Sequence, residues 1–337
     1  MMSMKMNPDP HQRGVLTLAY GPRRFVEQAR SLAHSLEVHA PHLPRTLVTD
    51  SRDPEILELF TEVVPYRPEY GSGVRQKLFI DLYSPYEETL FIDSDCLVLG
   101  NLDSFWTAFA GQNFGVPGYK YQKKGDVDPY LDVDHVLETL KLTRLPKFNG
   151  GTYYFVRTPQ AIDFFNTARN LLDNSSSLRF REFRKNGPAD EAIYSVTMAV
   201  HQIPLISMGP GGMWTPCGYK GSLQLDALQG TSSFEKDGMM LAPEVIHFPG
   251  EYVYAFPYAR ERAKLKARVE GKTTSVFSLS ASYTKSVLWQ CSRRSNGLSK
   301  VARSCVRSYR RAARMLSAAG HSGLPVPATA IKGGFRK

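Results

Sequence analysis

The chain has 337 residues, of which 42% are hydrophobic and 22% charged, so it can bury the core of one large domain or of two small ones. The first 11 residues lack the apolar core of a signal peptide, and no later run reaches the roughly 18 uncharged apolar residues of a membrane span. We therefore expect a globular protein of the cytoplasm.

The positive charge is concentrated at one end of the chain. The net charge is +10, but 18 of the 42 basic residues and only two of the 32 acidic residues lie in 260–337. The segment before residue 260 is thus mildly acidic, which disfavours a uniformly nucleic-acid-binding protein. The four cysteines, at 96, 217, 291 and 305, lack CxxC spacing, so we predict neither disulfides nor a zinc site.

Short apolar runs alternate with helical patterns in the first third of the chain. The patterns predict strands at 14–19, 45–49, 62–65 and 88–97, and helices at 25–38, 54–60, 74–83 and 103–110. This alternation predicts an α/β fold with a mixed, mainly parallel sheet that has helices on both faces. In such sheets, ligands bind beyond the carboxyl ends of the strands.

The pattern is less regular further along the chain. A polar stretch at 119–147 is expected to pass over the site, strand character returns at 145–157, helices are predicted at 159–172 and 189–200, and a last strand at 243–248. Trp214 could stack on a sugar or anchor its loop, and both interpretations stay open. Composition changes beyond residue 257, so we predict one α/β domain over 1–258 and a basic, partly helical extension over 259–337, with a helix at 298–318.

An acidic pair ends the apolar run at 88–97. Alternate residues of an extended strand point the same way, so Asp93 and Asp95 should face one point, where they repel each other unless a cation lies between them. A divalent ion held by carboxylates can bridge a diphosphate, which predicts metal-dependent handling of a nucleotide sugar. An alternative interpretation, which stays open, is that Asp93 and Asp95 simply end the strand in solvent. A haloacid-dehalogenase-type phosphatase is disfavoured because Leu97 stands where the motif of those enzymes has Thr or Val.

Four blocks in the range 14–250 resemble glycosyltransferase family 8, the group of glycogenin and the bacterial lipopolysaccharide galactosyl- and glucosyltransferases. They are the opening TLAY at 17–20, the Lys77-Leu78 pair sixteen residues before Asp93, FNGG at 148–151 and HFPG at 247–250. The resemblance implies a GT-A-type fold. It also implies transfer of a hexose from a UDP-sugar to an acceptor hydroxyl, with retention of the anomeric configuration.

The resemblance also implies roles for residues of these blocks. Asp93, Asp95 and His247 would hold Mn²⁺ or Mg²⁺, a ligand set of carboxylate oxygens and one imidazole that suits such an ion. Donor-binding residues would then contact the uridine, the diphosphate or the sugar; they are Leu18, Ala19, Tyr20, Arg75, Lys77, Ser94, Asn149, Gly150, Gly151 and Gly250.

Two departures from the family pattern change what is expected. The family often has a lysine shortly after the His-x-x-Gly block, whereas residues 251–254 read EYVY. The family commonly has Asp-Gln where this chain has Asp190-Glu191, so Asp190 and Glu191 become the catalytic candidates. Our hypothesis is that the Glu191 carboxylate attacks the anomeric carbon. Simple helix-start acids that complement the macrodipole are the alternative.

Other functions and partners stay open. A non-catalytic sugar-nucleotide-binding or scaffold protein fits the missing lysine, and a sugar-1-phosphate nucleotidyltransferase would need a longer glycine-rich loop than 20–24 provides. The acceptor could be a glycan, a glycolipid or a protein. The basic extension could lie on an anionic membrane, at its inner face, or be a solvated segment; nucleic acid is the least favoured partner.

Overall fold

The structure is a computed structural model that describes 12–183, 187–274 and six residues between 279 and 287. The predicted helix at 298–318 lies outside these residues. In the described part of the chain the strands are β1 (Arg13–Leu18), β2 (Arg45–Thr49), β3 (Glu62–Pro65), β4 (Glu88–Ile92), β5 (Cys96–Val98), β6 (Phe114–Gly115), β7 (Gly118–Gln122), β8 (Leu145–Phe148), β9 (Thr152–Val156), β10 (Met213–Trp214), β11 (Lys220–Asp226), β12 (Thr231–Lys236), β13 (Met239–Leu241) and β14 (Val245–His247).

The described residues form α-helices and four 3₁₀ segments. The α-helices are α1 (Arg23–His39), α2 (Pro54–Leu57), α3 (Ile80–Tyr83), α4 (Asp103–Phe109), α5 (Val133–Thr139), α6 (Pro159–Asp173), α7 (Asp190–Val200) and α8 (Phe256–Val269), and the 3₁₀ segments are Pro68–Tyr70, Gly73–Phe79, Gly209–Gly211 and Tyr252–Tyr254. No α-helix among the described residues is long and apolar enough to cross a membrane.

The central sheet is mixed and mainly parallel, as the sequence predicts. Its strand order is β3-β2-β1-β4-β9-β6, in which β3, β2, β1 and β4 run parallel and β9 runs antiparallel to both neighbours. Strand β4 is buried on both faces. Phe91 packs into one core cluster, whereas Leu90 and Ile92 pack into another, as the two-residue period of a strand requires.

Helix α1 covers one face of this sheet because its apolar residues recur at helical spacing. Leu32 and Leu36 are fully buried against β4 and β5. Ser35 ties the helix to β5, since its hydroxyl donates to Leu32 O and accepts a hydrogen bond of 3.0 Å from Val98 N. Helix α8 packs on α1 and runs across residue 258, where the boundary between domain and extension is predicted. The division into two regions stays a prediction.

A second sheet carries the chain to the candidate site. Strand β5 pairs antiparallel with β14, which pairs parallel with β10, and this register sets His247 opposite Cys96. The sequence prediction of one continuous strand over 88–97 is wrong. The chain leaves the central sheet after Ile92, turns at 93–95 and joins this second sheet as β5.

The predicted polar passage at 119–147 has more structure than expected. It contains β7, β8 and the helix α5, whose N-cap Asp132 accepts a hydrogen bond from His135 N. Val133, Val136 and Leu137 of this helix belong to a small apolar cluster of their own. A three-stranded antiparallel sheet, β11-β12-β13, has no counterpart in the sequence predictions. Its strands follow β10 and precede β14 along the chain.

A buried histidine on α1 makes the stability of the fold depend on pH. Burial, together with the charge of Arg30, lowers the pKa of His34 to about 4. The unfolded chain therefore binds more protons between about pH 6.5 and pH 4, and stability is lost as the pH falls through that window, by up to about 3 kcal/mol. His34→Gln should flatten this part of the curve in urea unfolding measured from pH 7 to pH 4. The exposed His42→Gln should leave it as in the wild type, and an unchanged slope in His34→Gln would contradict this cause.

Candidate active site

The acidic pair lies on a turn that is tied to two other parts of the chain. Asp93 N donates to Gly151 O at 2.9 Å, and Cys96 N donates to Asp93 O at 3.0 Å, which closes the turn. Phe248 N donates to Asp95 O at 3.1 Å. The turn is thereby held against both the glycine pair at 150–151 and the end of β14.

The imidazole of His247 meets both carboxylates of this turn. Its Nε2 lies 3.1 Å from Asp95 Oδ1 and 3.7 Å from Asp93 Oδ2. The side chains of Asp93 and Asp95 are 16% and 20% exposed, so they face a partly open site rather than bulk water. The sequence analysis expects Asp93 and Asp95 to face one point because they alternate along an extended strand. In the structure, the turn at 93–95 and the pairing of β5 with β14 bring them and His247 together instead.

Asn149 orients the histidine ring. His247 Nδ1 lies 2.5 Å from Asn149 Oδ1, and since that oxygen can only accept, Nδ1 carries the proton and donates. Nε2 therefore presents its lone pair, or a second proton, to the carboxylates. Burial lowers the pKa of His247, but the charge of Asp95 and its hydrogen bond outweigh burial and raise the pKa above its ordinary value. A hydrogen-bonded second nitrogen is the usual arrangement of a metal-ligating histidine.

These donors fit a divalent cation. The separations of 3.1 and 3.7 Å are near the roughly 3 Å between adjacent ligands of an octahedral ion with bonds of about 2.1 Å. Gly151 leaves the necessary room, because a Cβ there would lie 2.7 Å from His247 Nδ1. Donor atoms of Asp95, Cys96 and His247 also lie within 4.8 Å of one another.

Asp93 is the third ligand that the resemblance predicts, and Cys96 is the alternative that lies beside Asp95 and His247. The Cys96 thiol is buried, lies 3.6 Å from Gly151 O, and burial raises its pKa well above the ordinary value. While no ion is bound, burial thus favours the neutral thiol. Carboxylate oxygens and imidazole suit Mn²⁺ and Mg²⁺ better than sulfur does.

A buried lysine stands beside the acids. Lys77 Nζ lies 2.7 Å from Asp93 Oδ2 and 3.2 Å from Asp190 Oδ2, and it donates to Gly150 O at 3.2 Å. Burial lowers the pKa of Lys77, but the charges of Asp190 and Asp93 outweigh burial and raise the pKa, so the ammonium stays charged. The 3₁₀ segment that carries Lys77 is held by Tyr194, whose hydroxyl donates to Lys77 O at 2.6 Å.

Helix α7 presents two further acids at its start. Asp190 accepts a hydrogen bond of 2.6 Å from the Tyr153 hydroxyl, and Glu191 Oε1 accepts one of 2.9 Å from Gly150 N. Burial, with the charge of Asp190, raises the pKa of Glu191. Both side chains point towards the glycine pair instead of into solvent. The cluster thus has four carboxyl groups against one ammonium and one imidazole, which favours a further cation.

Other predicted donor-binding residues line up on a neighbouring part of the sheet edge. Leu18 ends β1, and Ala19 N donates to Val48 O at 2.9 Å. The Tyr20 hydroxyl donates to Gly73 O at 2.7 Å, in the same 3₁₀ segment that carries Arg75 and Lys77. Tyr20 therefore reaches the segment of Lys77, although none of these contacts joins it to the acids directly.

The remaining predicted residues frame the acidic turn. Ser94 is buried within the turn, and Gly250 has a φ of 63°, the left-handed region that glycine adopts readily. Arg75 packs against the backbone of Gly71, since a Cβ at Gly71 would lie 3.1 Å from Arg75 Nε. The described residues give Arg75 no hydrogen bond or ion pair to the acids.

Sequence reasoning missed two aromatic residues of the site. Tyr66 stacks on Tyr20 with ring centroids 4.2 Å apart, and an aromatic residue just after a predicted strand end was the available signal. Tyr153 lies in the predicted strand region at 145–157 and is buried, and its hydroxyl donates to Asp190. The sequence carries no signal for that contact, since 37 residues separate the two.

Comparison with known proteins gives a result only at the level of structure. No protein-family model and no curated protein sequence matches the chain. Solved structures similar to the chain include glycosyltransferases.

Three of these structures have TM-scores of 0.49 with the chain. An active-site mutant of LgtC, with glutamate in place of a glutamine, is 13% identical over 78% of this chain and 97% of that one. The galactosyltransferase LgtC in complex with donor and acceptor sugar analogs is 11% identical, with 80% and 99% covered. The bifunctional glycosyltransferase WbbM is 11% identical, with 82% and 52% covered. At such identities, the activity has to be inferred from the geometry of the site.

Proposed function

We propose that the chain is a glycosyltransferase that moves a hexose from a UDP-sugar to an acceptor hydroxyl, with Mn²⁺ or Mg²⁺ bound by Asp93, Asp95 and His247. The observation that carries this proposal is the convergence of His247 Nε2 on both carboxylates of the turn. A cluster with an excess of negative charge binds a nucleoside diphosphate only through a cation. When bound, such an ion neutralises the charge that builds on the departing diphosphate.

The chain's own residues supply positioning and charge. Lys77 keeps its ammonium between Asp93 and Asp190, close enough to the turn to contact a phosphate or the donor sugar. Gly150 and Gly151 let the sugar approach the backbone closely. Tyr20 and Tyr66 form a stacked pair on which the uracil ring could extend the stack. Much of the rate gain would come from holding donor and acceptor in one orientation.

Glu191 is our candidate nucleophile for transfer with retention. Its carboxylate would form a bond to the anomeric carbon as the bond to UDP breaks, and the acceptor oxygen would then displace the carboxylate and release its proton to water. Gly150 N holds Glu191 Oε1 and so orients the group. Burial and the charge of Asp190 raise the pKa of Glu191, and the hydrogen bond from Gly150 N opposes this by favouring the carboxylate form.

The Glu191 hypothesis has a direct test. Wild-type protein incubated with its donor sugar and quenched in acid should show the mass of one added hexose on Glu191, and Glu191→Gln should show none. Turnover by Glu191→Gln should fall by roughly 10²–10⁴-fold. The exposed Glu55→Gln should keep both adduct and turnover. An adduct that persists in Glu191→Gln would show that Glu191 is not the nucleophile.

Release of UDP tests the proposed function itself. We expect UDP to accumulate from one UDP-hexose of a panel when Mn²⁺ is present, at least about a hundredfold faster than with a chelator. Binding of the donor without UDP release would instead identify a non-catalytic binding protein. A nucleotidyltransferase is disfavoured because only four residues join β1 to α1, and Gly21 N is already bonded to Asp50.

We also propose partners for the acceptor site and for the basic extension. The acceptor would be a glycan, a glycolipid or a protein. Binding of the 259–337 extension to an anionic membrane would bring the enzyme to a lipid-linked acceptor.

A further inference from the structure

A cleft of about 280 Å³ opens beside the candidate active site. It lies between β7, β8 and the segments 207–215 and 236–237, and its lining includes Phe148, Asn149 and Trp214. Asn149 belongs to both places, because its Oδ1 also holds the ring of His247. A molecule in this cleft therefore sits next to the residues that we assign to the metal and the donor.

The charged residues that line the cleft are mostly basic. They are Lys120, Lys147, Lys236 and Asp237. Lys147 is already neutralised, since its Nζ lies 2.7 Å from the buried carboxylate of Asp128. The described part of the chain gives Lys120 neither a hydrogen bond nor an ion pair for its ammonium.

Lys236 is half-buried without a carboxylate at ion-pair distance among the described residues. Its Nζ donates to one backbone oxygen, Thr215 O, at 3.0 Å. Burial lowers its pKa, and the charge of Asp237 only partly opposes this. A partly desolvated ammonium that has one carbonyl as its partner gains most from an anion placed beside it.

The apolar part of the lining suits a sugar ring. Trp214 and Phe148 present aromatic surface to the cleft, and the indole is fixed because its Nε1 donates to Gly209 O at 3.0 Å. Sites for small molecules combine such apolar walls with a few placed polar groups, and the volume is close to the roughly 300 Å³ at which such sites begin.

We propose that this cleft binds an anionic acceptor: a sugar that carries a phosphate or carboxylate group, which Lys120 and Lys236 contact while the ring packs on Trp214. The assignment of the bound sugar as acceptor rests on the proposed function. The charge preference rests on the cleft alone.

Binding of small probes tests the preference. We would titrate the protein, with UDP and Mn²⁺ present, with glucose 6-phosphate, glucuronate, methyl glucoside and inorganic phosphate, and measure affinity by calorimetry. The anionic sugars should bind at least about tenfold more tightly than methyl glucoside and than inorganic phosphate. Equal affinity for the neutral sugar, equal affinity for inorganic phosphate alone, or no binding of any probe would overturn the proposal.

Variants locate the effect. The double variant Lys120→Ala/Lys236→Met should lose the preference for anionic sugars, and Lys236→Arg, which keeps the charge, should retain most of it. Lys123→Ala removes one exposed charge outside the cleft and should bind all probes as the wild type does. Wild-type affinity in the double variant would place the anion elsewhere and refute the assignment.

The same samples separate this inference from the proposed function. Stabilisation by UDP and Mn²⁺ should be equal in the wild type and the double variant, because no ion pair joins either lysine to the acids among the described residues. If that stabilisation is absent throughout while anionic sugars still bind, the proposed function fails and the cleft stands as a site for anionic sugars. If it is present but the sugars show no charge preference, only the inference on the cleft fails.

Discussion

Asp95→Asn should abolish the stabilisation that Mn²⁺ and UDP together give to the protein. Asp95 Oδ1 is the carboxylate oxygen nearest to His247 Nε2, at 3.1 Å, and an amide replaces its charge by a weak neutral donor. A ligand that binds only the folded protein raises its melting temperature, so loss of the site removes the shift. UDP release should fall at least about a hundredfold, because several kcal/mol of charge stabilisation go with the ion.

Thermal unfolding with Mn²⁺ alone, UDP alone, both, and neither measures this effect. The wild type should shift strongly only when both are present. Asp163→Asn, a change of an exposed acid on α6, should behave as the wild type. Urea unfolding of Asp95→Asn without ligands should stay within about 1 kcal/mol of the wild type, since Asp95 is partly exposed. A full shift retained in Asp95→Asn would show that the metal assignment is wrong.

Strands β1, β2 and β4 could be predicted because burial on both faces gives them apolar runs, whereas β3 is largely exposed. β2 and β3 begin and end where predicted, and α1 and β1 are displaced by only one or two residues. The same property hid the break at 93–95. Strand β4 is buried from Thr89 onwards and β5 throughout, so the sequence at 88–97 has the pattern of one strand although the chain crosses there from one sheet to another.

Segments with few apolar residues were the hardest to predict. Strand β11 has only Leu225 buried, and β12 only Phe234, so neither shows a two-residue alternation strong enough to stand out. Helix α5 did carry a readable start, with Asp132 as an N-cap before Val133, but the dense charge around it favoured a loop.

The candidate ligands followed from residue type and order, whereas the contacts among them did not. The blocks at 93–95, 148–151 and 247–250 do come together in space. That Lys77 is held between Asp93 and Asp190 depends on how the 3₁₀ segment Gly73–Phe79, the turn after β4 and helix α7 pack together. For Asp190 and Glu191 the helix-start interpretation stays open, and the hydrogen bonds that they accept from Tyr153 and Gly150 carry no signal in the sequence.

Lys77→Met should both destabilise the protein and strengthen its binding of Mn²⁺ in the absence of nucleotide. The change leaves the buried Asp190 and the largely buried Asp93 without the ammonium between them, which typically costs about 3–5 kcal/mol of unfolding free energy. In the wild type, a cation has to share Asp93 Oδ2 with Lys77 Nζ at 2.7 Å. Without the lysine, the cluster is one charge more negative, and the carboxylate is available to the ion.

Urea unfolding with and without Mn²⁺ separates these two effects. Mn²⁺ alone should raise the unfolding free energy of Lys77→Met by more than it raises that of the wild type, while UDP release by the variant falls. Lys123→Met is the matched control on an exposed lysine and should match the wild type in every measurement. Because the buried carboxylates repel each other as soon as the ammonium is gone, wild-type stability in Lys77→Met would mean that Lys77 does not lie between them. A variant destabilised equally with and without Mn²⁺ would mean that the ion does not reach Asp93.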